Sequence, residues 1–189
     1  MPASSRPFIA DALDAVARAA RDRDGELRTV QLATLGTDGA PSVRSVVLRA
    51  LEGSEAELHS DARAGKVRDV RREPRVSLLA WSAEAKLQLR LDGTALLHEG
   101  DAFARERWDA LPDAGRTAYG ARAAPGEAID DPGDRRWLQD EERFRCFVVM
   151  RVRLHRVEVL RLEPHGNQTR AVAGLDRSGA LHNERWIGP

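Results

Sequence analysis

Several side chains between Arg44 and Lys66 have the types and spacing to meet an anion. Arg44 and Arg49 stand on either side of the apolar run Val46-Val47-Leu48. Residues five apart on a regular strand face opposite ways, so if one side packs on a core, only one of the two guanidiniums is plainly in water. A guanidinium near a core must be paired, and a bound anion is one such partner. Ser60 then closes a β-like run, with Arg63 and Lys66 at the start of a helical one. Free N–H groups at a helix start, one hydroxyl and two cations can hold a phosphate. A solvated turn leading into a charged helix has the same spacing, and the pattern alone leaves both readings open. Lys66 is one of only two lysines among thirty basic residues, so an ammonium there departs from the chain's habit.

Other chemistries find less support. There is no G-x-S-x-G, no G-x-G-x-x-G after a strand and no G-x-x-x-x-G-K-[ST], so the common nucleophile and nucleotide signatures are absent. His59, His98, His155, His165 and His182 are scattered without metal-ligand spacing and read as surface or satisfied core histidines. No metal is expected, and no side chain stands out as a general acid or base. The single cysteine, Cys146, sits in the apolar run Cys-Phe-Val-Val-Met and reads as a buried structural thiol.

The elements that must position these residues follow from periodicity. Arg6–Arg23 carries Phe8, Ile9, Ala12, Leu13, Val16 and Ala20 on one stripe, an amphipathic helix ended by Asp24-Gly25. Arg28–Leu35 and Ser42–Leu51 flank Gly36-Thr37-Asp38-Gly39 as a β-hairpin, and Glu55–Ser60 is a third strand. Lys66–Arg72 reads as a short helix closed by Pro74. Strands follow at Arg75–Trp81 and from Lys86 to about His98, where Leu87, Leu89 and Leu91 alternate with polar residues. Asp101–Leu111 is expected as a helix with Asp101 at its N-cap, Ala121–Asp134 as an exposed loop and Gly133–Arg143 as a short charged helix. Phe144–Leu162 gives one or two strands, and Glu163–Pro189 a segment with a turn at Pro164-His165-Gly166-Asn167.

Helices flanking antiparallel-looking strands, with no βαβ alternation, argue for a mainly β fold: a β-barrel or sandwich with helical decoration. With 189 residues the chain is expected to form one domain: the helix at about 6–23, a barrel at about 28–162 and a C-terminal segment at 163–189. Equal numbers of acidic and basic residues, thirty each, disfavour a nucleic-acid binder. No apolar run approaches the length of a membrane span and no basic-then-apolar leader opens the chain, so a cytoplasmic location is expected.

Three stretches in order carry a resemblance. Pro41-Ser42-Val43-Arg44-Ser45-Val46-Val47-Leu48-Arg49, His59-Ser60-Asp61-Ala62-Arg63-Ala64-Gly65-Lys66 and Gln88-Leu89-Arg90-Leu91-Asp92-Gly93 resemble the pyridoxamine 5'-phosphate oxidase-like family of FMN-binding split β-barrels. The likeness continues through Phe147–Leu162 and the closing Arg-Trp-x-x-Pro. It implies an antiparallel split β-barrel with flanking helices, FMN as cofactor and a homodimer with FMN at the subunit interface. Carried over by position, Arg44 and Lys66 would hold the FMN phosphate, with Ser60 and Arg63 beside them. Ser45, Val46, Val47 and Leu48 would run along the isoalloxazine ring and offer backbone groups. Gln88 would hydrogen-bond the ring's polar edge, Arg170 matches a flavin-contacting arginine, and Arg49 falls at a substrate-phosphate position. Trp108, Arg116 and Tyr119 resemble a segment that closes over the flavin in some relatives; the alternative is that Trp108 anchors its own helix.

The departures are equally specific. Gly166-Asn167-Gln168 stands where the family's oxidases carry Arg-x-His, Leu160 where they carry a flavin-stacking tryptophan, and Gly65 where the first cation of an Arg-Lys pair is found. A neutral segment cannot anchor a phosphorylated pyridoxamine, so oxidation of that substrate is not expected. The resemblance implies an FMN-dependent oxidoreductase of unknown substrate. Its rivals are a non-catalytic flavin-binding or sensor protein and a binder of a deazaflavin or haem.

Overall fold

In a computed structural model, residues 4–131 and 137–188 are described. The chain begins with helix α1 (Arg6–Arg21), whose Ile9, Ala12, Val16 and Ala20 are buried along one stripe. Strands β1 (Thr29–Leu35), β2 (Pro41–Glu52) and β3 (Glu55–Asp61) follow, then helix α2 (Gly65–Arg72). Next come β4 (Arg75–Ser82), β5 (Leu87–Glu99) and three short helices, α3 (Ala102–Asp109), α4 (Asp113–Thr117) and α5 (Asp140–Arg145). The chain ends with β6 (Phe147–Leu162), β7 (Gln168–Leu175) and β8 (Leu181–Trp186).

The sheet order is β3-β2-β1-β4-β5-β6-β7-β8, and β3 also pairs with β6. That pairing closes the first six strands into an antiparallel barrel; β7 and β8 continue outside it. β6 makes the closure possible by dividing one flank between two partners. Phe147 to Arg153 face β3, and Arg156 to Leu162 face β7. The mainly β, split-barrel expectation describes this architecture.

Alternation decides what each strand buries. Val30 and Leu32 on β1, Leu78 on β4 and Leu89 and Leu91 on β5 point into the barrel. α1 packs its stripe on the same core. Between β1 and β2 the chain reverses at Gly39, whose positive φ of 84° suits glycine. Gly93 has a different reason to be small. β5 shifts register against β6 between Asp92 and Gly93, and a Cβ on Gly93 would lie 2.6 Å from the Arg153 carbonyl oxygen. A second apolar cluster, built on Trp108, Tyr119, Phe144 and Phe147, packs α3 and α5 on the outer face of β6.

Some boundaries move. α1 ends at Arg21, the helix expected over Lys66–Arg72 begins at Gly65, and α3 is shorter than expected, with Asp101 at its N-cap accepting from the Ala104 N–H at 2.8 Å. The charged helix expected over 133–143 is Asp140–Arg145, and residues 133–136 of that expectation lie outside the described residues. Phe144 and Arg145 are helical, not strand, because a capping box between Gln139 and Glu142 starts a helix that runs through them. Cys146 is therefore at a helix end and not in a strand, and it is buried. The C-terminal segment holds two strands, β7 and β8, which alternation had not revealed.

Candidate functional site

β1 and β2 pair with Leu32 opposite Arg44 and Thr34 opposite Ser42, so these side chains meet on the interior face near the turn of the hairpin. Arg44 donates from Nη1 to the Leu32 carbonyl at 3.2 Å and to Thr34 Oγ1 at 2.7 Å. Its Nη2 donates to Ser42 Oγ and lies 3.5 Å from Asp69 Oδ2. Asp69 belongs to α2 and accepts from Thr34 Oγ1 at 2.8 Å. Lys66 is three residues earlier on α2, so it shares a face with Asp69. Burial pushes the Lys66 pKa below the ordinary lysine value; the charge of Arg44 pushes the same way, and Asp61 partly opposes both. Among the described residues the Lys66 ammonium has no hydrogen bond or ion pair. Two neighbouring cations, one half-buried without a counter-ion, form a setting that favours an anion.

Ser60 is buried at the end of β3, its hydroxyl only 3.4 Å from the Asp61 carbonyl. No side chain caps the start of α2. Arg63, expected beside the phosphate, is turned elsewhere. Nε and Nη2 grip Asp61 at 3.0 and 2.6 Å, while Nη1 and Nη2 also donate to the carbonyls of Arg122 and Ala121. Asp61 raises the Arg63 pKa accordingly. In this geometry Arg63 ties the 121–122 loop to the exit of β3.

β2 shifts register against β3 between Leu48 and Ala50, at Arg49. Arg49 lies against Tyr119, whose hydroxyl pKa burial raises and Arg49 partly lowers; the Arg49 Nε is buried without a partner. Arg44 and Arg49 thus serve different faces, as their spacing suggested. Leu48 is in the core and Val46 packs against it, so these residues can offer a ligand only backbone groups, whereas Ser45 and Val47 point outward.

Gln88 is also on the outer face, in a row across the sheet with Trp81, Leu160 and Arg170. One chain therefore brings Arg44, Ser60 and Lys66 into one region and Gln88 and Arg170 into another, on the opposite face of the sheet. In the second region Glu158, only 4% exposed, is the hub. Arg90 donates to its Oε2 at 2.8 Å, Arg156 to the same oxygen at 2.6 Å, and Arg170 to Oε1 from both Nε and Nη2. Burial alone would raise the Glu158 pKa; the bonds from Arg170 and Arg156 outweigh it and hold the carboxyl below its usual value.

Trp108 is buried against Phe147, with ring centroids 5.4 Å apart, and Arg116 donates to its carbonyl at 3.2 Å, so Trp108 anchors its helix. Gly166 to Gln168 are exposed and carry no cation. A cavity of about 710 Å³ lined by Arg151, Arg153, His155 and Arg177 includes none of the anticipated residues. Among the described residues no three His, Cys, Asp or Glu side chains gather as metal ligands, and no helix is long and apolar enough to cross a membrane.

Residues 8–99, from α1 through β5, match the family model described as the FMN-binding domain of pyridoxamine 5'-phosphate oxidase. Over these residues the chain is similar to the pyridoxamine 5'-phosphate oxidase-like family. The matched stretch contains Arg44, Ser60, Lys66 and Gln88, and ends well before Arg170. Pyridoxine/pyridoxamine 5'-phosphate oxidase from Thermosynechococcus vestitus is 31% identical over 85 residues, which cover 43% of this chain and 40% of that protein. The enzyme of the same name from Rubrobacter xylanophilus is 30% identical over 124 residues, 63% of this chain and 55% of that protein. The chain thus spans about half the length of the curated relatives it matches.

Solved structures of this family share the fold over the full chain. A pyridoxamine 5'-phosphate oxidase-related, FMN-binding protein from Nostoc punctiforme superimposes with a TM-score of 0.75 at 22% identity, covering 100% of both chains. PhzG from Burkholderia lata, crystallised with tetrahydrophenazine-1-carboxylic acid, has a TM-score of 0.75 at 19% identity and covers 100% of this chain and 94% of that one.

Proposed function

We propose that this protein binds FMN, with the phosphate between Arg44 and Lys66 at the start of α2, and that it is an FMN-dependent oxidoreductase. The observation that carries the reading is Lys66: a half-buried ammonium beside a second cation, with no carboxylate bonded to it among the described residues. A dianionic phosphate suits that pair, and Ser60 and the uncapped start of α2 supply neutral donors. The strand Ser45–Leu48 offers backbone groups to the ring. When bound, FMN supplies the redox chemistry, and the protein supplies position and electrostatics.

We further propose a homodimer with FMN at the subunit interface, residues 1–189 acting as one unit in each copy. Gln88 and Arg170 face away from Arg44 and Lys66 of their own chain, so a second copy presenting its outer face would add them to the cofactor's surroundings. That face also leaves Val43 69% exposed and Trp81 36% exposed, apolar surface suited to a partner. Soluble cytoplasmic action remains part of the proposal.

The test is to denature the purified protein, identify by mass what it releases, and titrate the stripped protein with FMN and with riboflavin. Release of FMN, or uptake of FMN well ahead of riboflavin, is expected. Protein without flavin absorbance that takes up neither overturns the reading. A second reading, a flavin binder without turnover, is favoured by the exposed, cation-free Gly166–Gln168 segment, which offers no anchor for a phosphorylated substrate. Turnover against a panel of electron donors and acceptors separates the two.

A further inference from the structure

Asp69 is a buried carboxylate beside Arg44, one of the two cations assigned to the phosphate, and nothing in the family match gives it a task. Its Oδ2 accepts from Thr34 Oγ1, which itself accepts from Arg44, and it lies 3.5 Å from the Arg44 Nη2. With Leu32 and Ser42, these groups engage both terminal nitrogens of Arg44 and leave its Nε without a partner among these contacts. The other nearby carboxylate, Asp61, is gripped by Arg63. The local balance is therefore Arg44 and Lys66 against Asp69, one net positive charge where a phosphate brings two negative ones.

We infer that Asp69 is a built-in competitor for Arg44: it holds the guanidinium through Thr34 in the free protein and opposes the arriving phosphate, so that the cofactor is bound exchangeably. This rests on the phosphate reading of Arg44 and Lys66. Positioning and repulsion are separable, because an amide at position 69 can still accept from Thr34 while carrying no charge. A like charge a few ångströms beyond the first contact, in a setting of intermediate dielectric, changes affinity by about tenfold.

The experiment compares dissociation constants for FMN and riboflavin in the wild type, Asp69→Asn and Thr34→Val. Asp69→Asn is expected to bind FMN about tenfold more tightly with riboflavin unchanged. A general loosening of the fold would move both ligands together. Thr34→Val removes the hydroxyl between the carboxylate and Arg44, leaves Asp69 with Arg44 alone, and is expected to weaken FMN selectively. If Asp69→Asn leaves the ratio of FMN to riboflavin affinity unchanged or lowers it, the inference is wrong. The phosphate reading then still stands, provided that the wild type prefers FMN and Lys66→Ala abolishes the preference. A wild type that does not distinguish FMN from riboflavin removes both.

Discussion

The proposed phosphate site concentrates its charge in one atom, the Lys66 Nζ. Lys66→Ala should weaken FMN binding by roughly 1.5–3 kcal/mol, the range for hydrogen bonds to charged groups, while riboflavin binding stays the same; equilibrium titration with both ligands reads this directly. The lowered Lys66 pKa adds a pH signature. A bound dianion keeps the ammonium protonated, so FMN affinity should fall as pH rises through the depressed pKa, earlier than an ordinary lysine would allow. Lys66→Arg should show no such fall. Folding stability moves the other way there, because the unfolded chain holds the proton more tightly and a rising pH relieves the cost of burying the charge. Glu158 changes stability with pH in the same direction, because its folded pKa is also depressed. Its contribution is present above the ordinary glutamate pKa and is lost as pH falls through the depressed folded value. Glu158→Gln leaves three arginines, each about one-third exposed, facing one another, and should cost about 2 kcal/mol of stability in chemical denaturation. That Arg44 and Lys66 lie near each other was readable, because one cation precedes an apolar strand run and the other opens a helix. Asp69 was not, since a polar residue one turn along a charged helix looks solvent-facing until the helix docks on Thr34.

The elements that were legible are those with strong contrast between faces. The α1 stripe, the β1–β2 hairpin and the leucine alternation of β5 stand almost where periodicity put them, because each has one apolar side to bury. β7 escaped notice because Ala171, Ala173 and Gly174 give it little contrast, and β8 because most of its residues are polar. The start of β6 was misplaced because Phe144 extends an apolar run that local capping turns into helix. One glycine fixes the geometry of the longest strand pair. Gly93→Ala places a methyl group against the Arg153 backbone, which cannot swing aside as a side-chain tip can. A loss of about 1–3 kcal/mol is expected, measured by thermal or denaturant unfolding, and FMN affinity per folded molecule should hold because Arg44 and Lys66 lie on other elements.

The molecule presents half of its candidate cofactor environment on each face of one sheet, which a single chain cannot fold together without bending the barrel. Sedimentation should therefore give the mass of two chains at micromolar concentration. Val43→Glu, on the exposed outer face, should shift the population toward single chains and weaken FMN binding in step. A variant that is monomeric yet binds FMN fully would separate the site from association. The division between faces follows from strand register, and motif order along a sequence carries no trace of it.

Barrel closure by β6 has one more effect. Every strand from β1 to β7 pairs on both flanks over at least part of its length, and among the described strands the one with a whole side left as a free rim is β8. That rim is six residues long, is kinked at Asn183, where φ is 54°, and bears Glu184 and Arg185. Short, bent and charged, it is a poor template for strand addition, which protects a chain built mainly of sheet against runaway polymerisation.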